Sequence, residues 1–180
     1  MNERLMALAT RLHSLLRTLP DHDAVTDTLD YVVGAVYGLE RAMHWGFKDR
    51  PGAWDRAYRP FLTKYVLDIA AGRETHHLWL GGFYFNSAIQ RIAASYDRIP
   101  GLLGAGPGTA RERMIAVAGA EGGEWYSVYK EVNAFKHSPM GKAEGQKVSL
   151  DMVLNAVDEV LRLLETKSDH LAAKYAVPRS

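Results

Sequence analysis

The stretch Leu150-Asp-Met-Val-Leu-Asn-Ala-Val-Asp-Glu-Val-Leu-Arg-Leu-Leu164 decides the class of fold. Leu150, Val153, Leu154, Val157, Val160, Leu161 and Leu164 recur at steps of three and four, so a helix gathers all of them on one stripe. A strand would scatter the same residues over both of its faces. A stripe of this kind is stable only when it is buried against other helices, and the rest of the chain offers partners of the same pattern.

Working outward, the loop before Leu150 is polar and carries lysine, and Ser138-Pro139 ends a helix marked by Trp125, Val128, Val132 and Phe135. A short helix precedes it. Thr109 and Glu112 have capping-box spacing, and that helix extends to about Gly119. The stretch Gly101-Leu-Leu-Gly-Ala-Gly-Pro-Gly108 is too rich in glycine for a helix, and Pro100 is the expected stop of a long helix from about Thr75 to Ile99. That long helix carries Trp79, Phe83, Ile89, Ile92 and Tyr96 on its apolar side. Towards the N-terminus, Pro60 starts a helix through Phe61, Tyr65 and Ile69 that Gly72 closes. Val25, Leu29, Val32, Val33, Val36, Leu39 and Met43 mark another, and Leu5, Leu8, Leu12, Leu15, Leu16 and Leu19 mark the first, which Pro20 ends. No alternating strand pattern and no internal repeat interrupts the series. The sequence therefore predicts an all-α, single-domain helical bundle of about seven helices over residues 1–180.

Composition narrows the function classes. With 180 residues, 47% of them hydrophobic, one domain with a real core is expected. The 22 basic and 21 acidic residues leave a net charge of +1, so any contact with a polyanion has to come from a local patch. The absence of cysteine excludes disulfides, a cysteine nucleophile and thiolate metal sites, and it agrees with a reducing, cytoplasmic setting. Glu3 and Arg4 fall inside an amphipathic pattern, and no run of about 18 uncharged apolar residues occurs, so neither a signal peptide nor a membrane partner is expected.

Several motifs lack the chemistry they suggest. The glycine loop at 101–108 has no following Gly-Lys-Ser/Thr, and Gly141-Lys142 has neither the upstream glycine nor the downstream hydroxyl of a phosphate loop. No Gly-x-Ser-x-Gly elbow is present. Of the seven histidines, no two are spaced as a pair on one helix face, and the adjacent His76 and His77 diverge. No metal and no cofactor is expected, although histidines from different helices could still converge. From Trp45 to Arg59, aromatics alternate with cations, either as a base-stacking patch or as an elbow whose rings are buried and whose charges face water.

The densest polar constellation ends the sixth predicted helix, where Lys130, Asn133 and His137 follow i, i+3, i+7 spacing and Lys136 adjoins them. Together they can grip a phosphate, or His137 and Lys136 can serve as cations beside the last carbonyls of the helix. In the fourth predicted helix Asn86, Gln90, Arg91 and Asp97 are unusual polar groups beside an apolar face. They form either the second wall of a cleft or a satisfied polar edge.

The pairing of Asn133-Ala-Phe-Lys136-His137 with the long helix Tyr84-Phe-Asn86-Ser-Ala-Ile-Gln90-Arg91-Ile-Ala-Ala-Ser-Tyr96-Asp97-Arg98-Ile99 resembles the HEPN (higher-eukaryote and prokaryote nucleotide-binding) superfamily over roughly residues 75–165. The resemblance implies a small homodimeric bundle acting on or binding RNA or a nucleotide, as a metal-independent ribonuclease of a toxin or defence system with an antitoxin-type protein partner. It assigns catalysis to His137, Asn133 and Lys130, and nucleic-acid binding to Lys136, Arg91, Asp97 and Asn86. His137 is then the group that moves the ribose 2′-hydroxyl proton. The family pattern places an arginine immediately before the Asn, where this chain has Val132. Stabilisation of charge at phosphorus then falls to Lys130 or Lys136, point charges without a guanidinium fork. Enzyme, non-catalytic interaction bundle and bundle metalloprotein all follow as function classes, and the periodicity of Val132 with Val128 and Phe135 places its side chain in the core.

Overall fold

A computed structural model of the chain describes residues 3–44, 76–137 and 150–176, with the side chains of 76–83 and 134–137 outside that description. The helix expected from Pro60 to Gly72 and the aromatic and basic stretch from Trp45 to Arg59 lie outside the described residues. Among the described residues the architecture is all-α with no strands: α1 (Glu3–Thr18), α2 (Asp23–His44), α3 (His76–Leu102), α4 (Ala110–Ala118), a 3₁₀ turn (Gly119–Glu121), α5 (Gly122–His137), α6 (Leu150–Thr166) and α7 (Ser168–Lys174).

The periodicities account for the core. Leu5, Leu8, Leu12 and Leu15 of α1 are buried, as are Val25, Leu29, Val32, Val36 and Leu39 of α2. Along α6, Val153, Leu154, Val157, Val160, Leu161 and Leu164 are withdrawn from solvent. At the centre runs α3, whose Ile89, Ile92, Tyr96 and Ile99 are fully enclosed and which packs against α2, α5 and α6. Burying a Leu, Ile or Val side chain contributes about 1.5–3 kcal/mol, so these stripes dominate the energetics of the bundle.

α2 and α3 run antiparallel and unusually close. An added Cβ at Gly38 would meet the Tyr84 carbonyl oxygen at 2.9 Å and the Ala88 Cβ at 3.1 Å, so the two backbones touch there. Small residues let them do so: Ala35, Gly38 and Ala42 of α2 and Ala88 of α3 are all buried. α1 lies parallel to α6, joined by the Arg11 guanidinium, which donates to Glu165 through Nε at 2.9 Å and Nη2 at 2.7 Å and also bonds Asp158. These two partners hold the guanidinium charged far above any accessible pH, through the Glu165 hydrogen bond first and against the cost of desolvation.

Thr109 caps α4 as its spacing predicts: its hydroxyl accepts from the Glu112 amide at 3.3 Å, and its own amide donates to the Glu112 carboxylate at 2.9 Å. Those bonds hold the Glu112 carboxyl below its ordinary value.

Pro100 does not stop the long helix. α3 continues through it to Leu102, because a proline in the last turn removes only its own N–H from the ladder. The termination is a Schellman motif: Ala105 N donates to Pro100 O at 2.7 Å, Gly104 N donates to Gly101 O at 3.0 Å, and Gly104 sits at φ 91, a backbone state open to glycine. The glycine-rich stretch thus contributes its first two residues to the helix. α7 is a further difference, since one buried side chain, Leu171, leaves no periodicity to read. Its end is tied to α3 by Lys174 Nζ and the Tyr175 hydroxyl, which donate to Leu102 O at 2.8 and 3.0 Å.

Candidate functional site

The close seam between α2 and α3 opens at its outer edge into a polar cleft of about 730 Å³, a size that suits a small-molecule ligand. α2 contributes Asp27, Asp30 and Tyr31, and α3 contributes Asn86, Ser87, Gln90, Arg91 and Arg98. Ser87, Arg91 and Arg98 share one stripe because four- and seven-residue steps return to the same side of a helix.

Arg91 is seated by a gap in α2. A Cβ at Gly34 would lie 2.4 Å from Arg91 Cδ, 2.6 Å from Nη1 and 2.8 Å from Nε, so the side chain lies flat on the helix where only a hydrogen stands. Glycine inside a helix costs about 0.5–1 kcal/mol relative to alanine, and here it makes room for a guanidinium. Arg98 is anchored differently: its Cζ stands 4.0 Å from the Tyr31 ring centroid, and its Nη2 donates to the Tyr31 hydroxyl at 2.9 Å. Among the described residues the side chains of Asp27, Asp30 and Arg91 make no hydrogen bond or ion pair. The cleft therefore presents one uncommitted guanidinium facing two uncommitted carboxylates, an arrangement that can receive an anion together with hydroxyl or amino donors.

The residues expected from sequence are divided by the structure. Asn86 and Arg91 line this cleft, with Gln90 between them. Asp97 lies three turns from Asn86, about 16 Å along α3. It accepts a 2.7 Å hydrogen bond from the hydroxyl of Tyr129 on α5. Burial first, and then that bond to Asp97, push the Tyr129 hydroxyl above its ordinary range. Lys130 is exposed on α5, and Asn133 is half-buried with its Oδ1 enclosed and without a partner among the described residues. Lys136 and His137 occupy the last turn of α5, and their side chains lie outside the described residues. Val132 is 0% exposed, in the core where its periodicity places it.

Sequence reasoning missed Asp27, Asp30, Tyr31, Ser87 and Arg98. The two aspartates stand off the apolar stripe of α2, and nothing in the sequence sets them against α3. The only local signal was Gly34 inside an otherwise strong helix pattern.

A second polar spot lies where α3, α5 and α6 meet. The Tyr96 ring packs on Trp125 at 4.7 Å between centroids, and Trp125 Nε1 and Glu159 Oε2 are buried without partners among the described residues. Burial first, then the charge of Glu124, hold the Glu159 carboxyl above its ordinary value, and burial does the same to the Tyr96 hydroxyl. Among the described residues no group of three or more His, Asp or Glu side chains could hold a metal ion, and no helix is long and apolar enough to cross a membrane. Comparison with protein-family models, with curated proteins and with solved structures gives no match.

Proposed function

We propose that this chain is a HEPN-like helical bundle of the cytoplasm that binds RNA or a nucleotide without cleaving it, and that the cleft between α2 and α3 receives the ligand. The observation that carries this reading is Arg91, laid flat over Gly34 in a cleft of about 730 Å³ and unpaired among the described residues opposite Asp27 and Asp30. Its fork matches a phosphate oxygen pair, and the two carboxylates accept from ribose hydroxyls or a base amino group. Asn86 and Gln90 supply amides between them.

Two features favour binding over cleavage. Val132 fills the position that the resemblance gives to arginine, and it is wholly enclosed, so no guanidinium reaches a phosphate from there. Lys130 is exposed and offers a point charge in its stead.

Calorimetric titration with mononucleotides and a short single-stranded RNA tests the proposal. Micromolar binding that Arg91→Ala weakens about tenfold or more, with the RNA intact throughout, is the expected result. Binding that Arg91→Ala leaves unchanged, or no binding at all, overturns it. RNA cleavage that disappears in His137→Ala would instead restore the ribonuclease reading.

A further inference from the structure

The contacts across the α2/α3 seam set the groups of the polar cleft in a fixed order. Arg91 lies over Gly34, and seven residues further along α3, about 10 Å, Arg98 lies against Tyr31. The two helices are antiparallel, so Gly34 and Tyr31 follow one another on α2 in the same direction. Asp30 stands one turn before Gly34, and Asp27 one turn before Tyr31. The cleft thus runs from a free guanidinium, past one free carboxylate, to a second carboxylate beside an arginine held by an aromatic ring. That arginine is a platform. The Tyr31 ring covers one side of it, Nη2 donates to the Tyr31 hydroxyl at 2.9 Å and Nη1 donates to Ala94 O at 3.4 Å, while the side chain as a whole stays exposed. A guanidinium fixed in this way offers its other side to a planar base.

We infer that the cleft selects guanine among the bases: the base stacks on Arg98, the Asp27 carboxylate reads its Watson–Crick edge, Asp30 accepts from the ribose hydroxyls and Arg91 holds the phosphate. This rests on the reading of the cleft as a nucleotide site and adds which nucleotide it takes. The chemistry of Asp27 makes the choice. A carboxylate accepts hydrogen bonds and donates none, through two oxygens side by side. Guanine sets two donors side by side on that edge, N1–H and the 2-amino group, and so matches both oxygens at once. Adenine and cytosine each place a ring-nitrogen lone pair next to their amino group, and uracil flanks its one N–H with two carbonyls. Each of these turns at least one acceptor towards the carboxylate. Among the described residues Asp27 makes no hydrogen bond or ion pair that would compete for it. The span of about 10 Å from Arg91 to Arg98 suits a mononucleotide laid along the seam, its phosphate at one end and its base at the other.

Calorimetric titration of the full chain with GMP, AMP, CMP and UMP tests it. GMP should bind at least about tenfold more tightly than the other three, and IMP, which lacks only the 2-amino group, should lose most of that margin. Asp27→Asn places an amide N–H where one oxygen stood. The variant should therefore weaken GMP about tenfold and bind XMP, whose carbonyl replaces the 2-amino group, more tightly than the wild type does. A gain of that kind cannot come from damage to the fold. Arg98→Ala should weaken all four nucleotides about fivefold or more, because every base has a face to stack. Four nucleotides that bind alike, and that Arg91→Ala weakens alike, leave the nucleotide reading standing and overturn the selection of guanine. No binding of any nucleotide overturns both. A preference for GMP that survives Asp27→Asn overturns the role of Asp27, and affinities untouched by Arg98→Ala overturn the platform.

Discussion

Gly34 and Gly38 stand one turn apart on the same face of α2, and the same substitution at each should move stability in opposite directions. Alanine in a helix interior is favoured over glycine by about 0.5–1 kcal/mol, and both variants receive that gain. At Gly38 the new methyl meets the Tyr84 carbonyl oxygen at 2.9 Å, the Ala88 Cβ at 3.1 Å and the Ala88 nitrogen at 3.2 Å, none of which can swing aside. Restoring contacts of about 3.5–4.0 Å requires α2 and α3 to separate by about 0.5–1 Å, which forfeits a quarter to a half of the dispersion attraction of each close pair along the seam. An overpacking penalty of about 1–3 kcal/mol exceeds the propensity gain, leaving a net loss of about 1–2 kcal/mol. At Gly34 the obstruction is the exposed, flexible end of Arg91, which can lift away without breaking any bond to a described residue. At about 2–4 °C per kcal/mol for a chain of this length, Gly38→Ala should lower Tm by about 2–8 °C and Gly34→Ala should raise it by about 1–4 °C. Scanning calorimetry of both variants in one buffer decides the matter. Equal destabilisation at the two positions would refute the argument, because it would mean that Arg91 is as immovable as the Tyr84 backbone. Gly34→Ala should also weaken nucleotide or RNA binding, since it removes the seat of the guanidinium.

Val132→Arg should destabilise the fold by about 3–5 kcal/mol in a denaturant titration, because a charge enters a wholly enclosed position without a partner. A stable variant that gains RNA cleavage would contradict this. Glu159→Gln should raise Tm at about pH 7 and leave it unchanged at about pH 4. The sign follows from the raised carboxyl: the folded state holds its proton more tightly than the unfolded chain, so the associated stability is present in acid and is lost as pH rises through the folded value. Thr109→Ala removes the hydroxyl of the capping box and should cost about 0.5–2 kcal/mol, read from chemical denaturation.

Periodicity was sufficient for the long helices among the described residues and failed for α7, which buries one side chain. The stripe from Leu150 to Leu164 lies in α6 as its spacing requires, and the Thr109–Glu112 box opens α4. Local signals misled where a competing device was stronger, as at Pro100, where the backbone of Gly104 ends the helix and the proline is tolerated in the final turn. The candidate site was legible in part. Asn86 and Arg91 stood out as polar groups beside an apolar face, but their opposite wall depends on how α2 registers against α3. No pattern within Asp27-Thr-Leu-Asp30 carries that register. The register is fixed by touching backbones at Gly38, a contact between residues more than forty positions apart.

The parallel seating of α1 on α6 sets the order in which the chain can finish folding during synthesis. Arg11 finds Asp158 and Glu165 only across sequence separations of 147 and 154 residues. At an elongation rate of about 5–20 residues per second, α1 waits roughly 8–30 s for that partner to leave the ribosome. α2 is available throughout, so the nascent chain can shelter Leu8 and Leu12 against it as a hairpin, while the side of α1 destined for α6 stays open to solvent. α1 is made long before α6 and is among the last helices to be locked. Its two apolar stripes make the unfinished chain a candidate for chaperone capture until α6 arrives.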